Sequence, residues 1–220
     1  MTKSKFIVKL GAIITVMFFA LNISFAQECG PNCPACSGGS GGKLINKNDL
    51  VASVLGIATS DEEIAVATVR YGIFSWMDAG IGYAFQAKKP IWSIRLQPFA
   101  ENEDKWYPGL ILGTGSVRTG GSDQSIYGML TKTVEFSEKF AIGTYVGAAS
   151  IFKKMDEPFF LSGLSFVFVE KFTLFSSYDG VSFHEGFSWT ATDNLTLSAM
   201  VIETRYPALS ISFRFGTKNE

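Results

Sequence analysis

Pro207-Ala208-Leu209-Ser210-Ile211-Ser212-Phe213-Arg214-Phe215-Gly216 alternates with period two. Leu209, Ile211, Phe213 and Phe215 fall on one face; Ala208, Ser210, Ser212, Arg214 and Gly216 fall on the other. Successive side chains of a strand point to opposite sides, so this stretch is a strand with one oily face and one small or polar face. A sandwich in water accommodates such a strand, and so does a closed barrel in lipid. The residues upstream decide between the two.

From Leu50 onward, apolar runs and turn clusters alternate in a regular beat that predicts twelve strands: 50–58, 63–71, 77–86, 90–98, 106–116, 124–135, 139–151, 158–169, 172–178, 181–190, 195–203 and 207–216. Most have about the 9–11 residues that a tilted membrane-spanning strand needs, and the count is even, as in bacterial single-chain barrels. Trp92, Ile94 and Leu96 oppose Ser93, Arg95 and Gln97; Leu195, Leu197, Ala199 and Val201 oppose Thr196, Ser198 and Met200. The stretch Phe159 to Val169 is apolar on both faces, which argues against a wide water-filled pore. Aromatic residues gather beside the turns, among them Tyr71, Phe74, Trp76, Trp106, Tyr107, Phe136, Tyr178, Phe183 and Trp189. Such girdles mark the two interfaces of a membrane barrel.

The start of the chain points to export. Lys3, Lys5 and Lys9 precede the apolar run Leu10–Leu21, and Ser24-Phe25-Ala26 places small residues for cleavage after Ala26. The run is shorter than the roughly 20 residues of a spanning helix. Glu28 and Gln27 before Cys29 are not the small residues that precede a lipidated cysteine. The expected organisation is a signal peptide over 1–26, a Cys-containing segment and Gly/Ser linker over 27–49, an antiparallel transmembrane β-barrel over 50–216, and a tail over 217–220. A formal net charge of -1 over 220 residues gives nucleic acid no reason to bind.

The leader, the repeated hairpins and the closing Leu209-x-Ile211-x-Phe213-x-Phe215 together resemble the small outer-membrane β-barrel proteins of Gram-negative bacteria. The resemblance spans about residues 50–216 and is architectural. It implies the lipid bilayer and the barrel-assembly machinery as partners, with Phe215 as the terminal aromatic that this machinery reads. Gly216 to Glu220 follow it, which departs from the usual ending. A fold of this kind brings no activity with it.

Function is therefore sought in particular residues. Arg70, Arg95, Gln97, Lys132 and Arg214 are expected to line the lumen, with Asp78, Glu135 and Glu203 as counter-charges. In one arrangement these charges flank a narrow channel; in the other they pair into a plug, and the barrel is a structural or assembly component. Arg118, Asp123 and Gln124, in the glycine-rich loop that follows Gly113-Thr114-Gly115, are candidate contacts for a surface ligand. The loop has no Gly-x-Gly-x-x-Gly fingerprint and no P-loop lysine.

Cys29, Cys33 and Cys36 are spaced C-x3-C-x2-C. The spacing resembles the cluster-binding triplet of radical S-adenosylmethionine enzymes, over eight residues and without the (β/α) body such enzymes need. In an exported segment the ordinary expectation is a disulfide and a spare thiol. The alternative is a metal or iron–sulfur site completed by a fourth ligand or by a second chain, which makes the barrel an anchor for a redox or metal-linked periplasmic partner. A lumenal hydrolase, built on His184 with Ser188 or Ser210, is the third reading; no serine–histidine–acid order supports it.

Overall fold

The structure, a computed structural model, describes residues 44–59, 63–102, 105–116, 123–169 and 171–216. The leader, the three cysteines and Arg118 lie outside the described residues. The remainder is a single sheet closed on itself. Its strands are β1 (Leu50–Ala58), β2 (Glu63–Phe74), β3 (Met77–Ala84), β4 (Lys89–Phe99), β5 (Gly109–Gly115) and β6 (Ser125–Ser137), then β7 (Phe140–Ile151), β8 (Lys154–Phe168), β9 (Phe172–Tyr178), β10 (Phe183–Thr192), β11 (Leu195–Ile202) and β12 (Tyr206–Phe215). Each pairs antiparallel with its sequence neighbours, and β12 returns to β1, with Leu50 opposite Phe215 and Ile57 opposite Ala208.

All twelve expected strands are present, and the terminal alternation is realised as read. Ala208, Ser210, Ser212 and Arg214 share the inner face of the barrel with Val51, Ser53, Leu55 and Ile57 of β1. Leu209, Ile211, Phe213 and Phe215 face out. Most boundaries shift by one to four residues, and three of the shifts have a plain cause. β5 begins at Gly109, because residues 105–108 belong to the connection from β4. β8 begins at Lys154, because Lys154, Asp156 and Glu157 are polar and all four residues up to Glu157 are exposed, so the stretch carries no alternation to read. β10 begins at Phe183, because the Asp179 side chain accepts hydrogen bonds from the amides of Val181 and Ser182 and holds them in a turn.

The outer wall is apolar over nearly its whole height. Ile81, Leu112, Leu130, Val146, Phe160, Leu164, Leu174, Phe187 and Leu209 are all exposed large hydrophobic residues, Ile81 to 72%. A protein dissolved in water rarely leaves so continuous an apolar surface bare. At the end that holds Leu50 and Phe215, the near mouth, Phe74 stacks on Trp76 and Phe172 on Trp189, while Trp106 projects with 83% of its surface exposed. At the far mouth Tyr83 meets Phe85 edge-on, and Tyr178 packs against Phe183. The aromatic residues thus form two girdles. Among the described residues no helix is long and apolar enough to cross a membrane, so any crossing is made by strands.

The inside carries two apolar clusters set among buried polar residues. Ile111, Tyr127, Met129, Ala149 and Leu161 form one buried cluster on the β5–β8 wall, joined by Tyr145 and Phe159. Ile57, Ile202 and Ala208 form another across β1, β11 and β12, with Leu55, Ile64, Met200 and Tyr206 against it. This explains the two-sided β8: Leu161 and Val167 pack inward while Phe160, Leu164 and Phe168 meet the outside. A methyl group on Gly163 would overlap the Tyr145 ring, which lies flat against the wall there.

Candidate functional site

The near mouth carries the densest polar chemistry. Register places Gly72 and Arg70 of β2, Asp78 of β3 and Arg95 of β4 side by side on the inner wall, Gly72 opposite Asp78 and Asp78 opposite Arg95. Asp78 is fully buried. Its Oδ1 accepts from Arg70 Nη2 at 2.6 Å and from Arg95 Nε at 3.1 Å, and its Oδ2 accepts from Arg95 Nη2 at 2.7 Å. The fork of Arg95 grips the carboxylate with two donors, the strong form of this pair. A fourth donor, the backbone amide of Ile45, reaches Oδ2 at 2.9 Å.

Ile45 belongs to Leu44–Asp49, which turns into the mouth ahead of β1. Leu44, Ile45 and Asp49 are buried, Ile45 to 1% exposure. Asn48 donates its amide to the Gly72 carbonyl at 2.8 Å, and the Gly72 amide donates to the Asp49 carbonyl at 2.9 Å. Tyr71 at the rim donates its hydroxyl to Asn48 Oδ1 at 3.3 Å. The approach to β2 is so close that a Cβ on Gly72 would overlap the carbonyl oxygen of Asn46. The Asp49 carboxylate stands 3.8 Å from Arg214 Nε, and Arg214 Nη2 is buried without a hydrogen-bond partner. Three guanidinium groups, Arg70, Arg95 and Arg214, therefore share two carboxylates around an obstructed mouth.

The other expected site residues fall as follows. Gln97 faces inward near Gly109 and Thr131. Lys132 does not line the lumen. Tyr127, Met129 and Thr131 are buried on the inner face, so Lys132 shares the outer face with Leu130 and Val134. Its ammonium bends to the rim, where Nζ donates to the carbonyls of Asn102 at 2.7 Å and Lys105 at 3.0 Å. That satisfies a cation on the wall that faces lipid. Asp123 makes an exposed ion pair with Lys153 at 3.4 Å. Gln124 beside it has a buried side-chain amide with no hydrogen-bond partner. The obstructing segment was missed, since residues 27–49 read as one flexible piece. Its signal was the apolar pair Leu44-Ile45 at the end of the glycine run, followed by the turn-forming Asn46-Lys47-Asn48-Asp49.

At the far mouth His184 is buried on the inner face of β10. Its Nδ1 accepts the Glu203 amide at 3.1 Å, and its Nε2 stands 3.0 Å from Asp179 Oδ2 in an off-axis approach. One imidazole thus ties the β9–β10 loop to the β11–β12 turn. Burial by itself would raise the Asp179 carboxyl; the His184 side chain and the amides of Ser182 and Val181 outweigh it and hold the group below the usual carboxylate range. Ser188, four residues along the same strand, lies about 13 Å away at ~3.3 Å per residue, and its hydroxyl is bonded to that of Ser198 at 2.7 Å. The His184–Ser188 pairing of the hydrolase reading is not assembled.

The class these features define is the porin-like, membrane-type β-barrel. Among solved structures, the chain is similar to a KdgM porin, with a TM-score of 0.52 and 9% identity over 77% of this chain and 99% of that one. It is similar also to the KdgM porin in complex with disordered oligogalacturonate, with a TM-score of 0.53, 9% identity and the same coverage. At that identity the likeness is one of fold. No protein-family profile matches the chain, and no curated protein matches it in sequence.

Proposed function

We propose that the protein is a narrow, gated channel of the outer membrane, its near mouth held shut by its own Leu44–Asp49 segment. The observation that carries this reading is the seating of that segment: a short stretch of backbone docked on Gly72 and Asp78, continuous with the chain ahead of the barrel and covalently tied to it only through β1. A barrel with a purely structural role has no need of a stopper held by a few hydrogen bonds. Arg70, Arg95 and Arg214 gather their guanidinium groups at the constriction, and on this reading the open state favours anions.

Gly72→Ala tests this directly. The added methyl overlaps Asn46 without disturbing the strand, so it dislodges the segment and leaves the wall intact. In planar bilayers the unaltered protein is expected to be mostly closed. The variant is expected to open at least ten times as often, with a reversal potential in a salt gradient that reports anion preference. A folded variant that conducts at no voltage would return the barrel to a structural role.

A further inference from the structure

His184 is the only histidine in the sequence. Its ring is buried on the inner face of β10, where the register sets it beside Ser177 of β9 and Ile202 of β11. The Glu203 amide donates to Nδ1 at 3.1 Å. A backbone amide can only donate, so Nδ1 carries a lone pair and the hydrogen of the neutral ring sits on Nε2. Nε2 stands 3.0 Å from Asp179 Oδ2, off the line of a straight hydrogen bond. The other carboxylate oxygen of Asp179 accepts the amides of Val181 and Ser182. The ring is therefore bonded to the β11–β12 turn and faces a carboxylate of the β9–β10 connection.

The turn it holds has an unfavourable backbone. Glu203 and Thr204 both have positive φ, 56° and 53°. Residues with a Cβ rarely adopt that conformation, and a β-branched residue such as Thr204 least of all. Such conformations persist where their surroundings fix them. Here the Arg205 amide donates to the Ile202 carbonyl at 3.0 Å, and the imidazole takes the Glu203 amide. The residues flanking the turn, Ile202 and Tyr206, pack with Ile57 and Ala208 at the far end of the barrel. A turn that moves takes two members of that cluster with it.

The other charged and titratable groups around the ring leave the exchange to His184 and Asp179. Glu185 follows on β10 and points to the outer face, exposed. The side chains of Glu203 and Arg205 are exposed too, and the Arg205 guanidinium lies 5.3 Å over the Tyr206 ring. Tyr178 of β9 packs on the outside against Phe183. Tyr145, reaching across from β7, bonds to Ser177 and feels the charge of Asp179. Asp179 itself is held below the usual carboxylate range, so it stays charged wherever a histidine ordinarily titrates.

We propose that His184 is an acid-sensitive latch on the far mouth: a proton from solution on Nδ1 makes the ring a donor on both sides, expels the Glu203 amide and frees the β11–β12 turn, while the charged ring stays with Asp179. One hydrogen bond breaks, Glu203 N–H to Nδ1, because two donors cannot face each other at hydrogen-bond distance. One attraction grows, since an imidazolium beside a carboxylate is a charge-assisted pair. Acid thus moves the ring's tie from one connection to the other. The latch sits at the mouth opposite Leu44–Asp49, and it does not rest on the channel conducting.

The test is hydrogen exchange of the full chain in phosphatidylcholine vesicles, read at the Glu203 and Arg205 amides as protection against their intrinsic rates at each pH. Between about pH 7.5 and 5.5, where an imidazole ordinarily changes charge, protection is expected to fall about tenfold. That of Val181 and Ser182, which depends on Asp179, should hold until about pH 4. His184→Asn sets an amide oxygen near the place of Nδ1, where it accepts the Glu203 amide and takes up no proton, so its protection should be level over the same range. The ring is read separately in chain carrying nitrogen-15 histidine, in which a lone histidine gives an unambiguous signal. Nδ1 should change from bare to protonated in step with the loss at Glu203. Level protection in the unaltered protein overturns the latch, as does a fall that His184→Asn retains. An Nδ1 that stays bare, or is already protonated at the alkaline end, overturns it whether or not the variant folds.

Discussion

Asp78 shows how much one side chain can hold. Its carboxylate takes two donors from Arg95, one from Arg70 and one from the backbone of Ile45, and it has no access to solvent. Removing one partner of a buried, hydrogen-bonded charge set strands the others, at a cost of about 3–5 kcal/mol. Asp78→Asn should lower the unfolding free energy by that order in urea titrations of vesicle-inserted protein, and it should loosen Leu44–Asp49 as well. Asp179 offers a second residue-scale test, through pH. Its folded carboxyl is held below the ordinary value of about 3.9, so its contribution to stability is whole above that value and disappears as pH falls through the lowered folded one. The protection of the Val181 and Ser182 amides, measured against their intrinsic exchange at each pH, should therefore fall on acidification below about pH 4, and Asp179→Asn should show the reduced protection at every pH. The carboxylates show what sequence could and could not supply. Asp78 was a visible counter-charge, but nothing in the order of residues said that Ile45 would meet it, because that contact joins positions 33 residues apart. Lys132 was misplaced because charge was read where parity should have been: two positions on from Leu130, it must face the same way as Leu130.

At the scale of elements, strand existence was legible wherever one face is oily and the other is not. The terminal β12 and the paired β11 are plain cases, since Ser198 and Ser210 meet on the inside while Ala199 and Leu209 meet on the outside. Legibility failed where environment is the same on both faces. Lys154–Glu157 stand in solvent on either side, and β8 there shows no period. The connection from β4 to β5 failed for another reason. Trp106 and Tyr107 look like strand residues by propensity, yet they serve the interface girdle from a loop that is anchored by side chains: Glu101 Oε2 accepts the Thr133 amide at 2.9 Å, and Lys132 binds two of its carbonyls. The short β5 leaves the β5-side edge of β6 without a strand beyond Thr131, while its other edge stays on β7, and the loop takes the place of the missing strand.

Taken as a whole molecule, the barrel presents an oily outside, two aromatic girdles and an interior that is packed on opposite walls and obstructed at one mouth. Such a surface requires amphiphiles to stay dispersed. Protein extracted in mild detergent should migrate anomalously in gels until boiled, and outer-membrane fractions should hold it; recovery in detergent-free periplasmic extract would contradict the bilayer placement. The ring closes through β1 and β12, where Ser212 donates its hydroxyl to Ser53 across 159 residues of chain. That single seam has a temporal meaning. The first strand to form has its final neighbour at the opposite extremity of the polypeptide, so its exposed edge must wait, unsatisfied, for everything between to be arranged. Loop closure over such a span is slow compared with hairpin formation, and a waiting edge invites pairing with strangers. The maturation of this chain is therefore expected to hinge on β12, with chains that lack it accumulating as open ribbons that never become a circle.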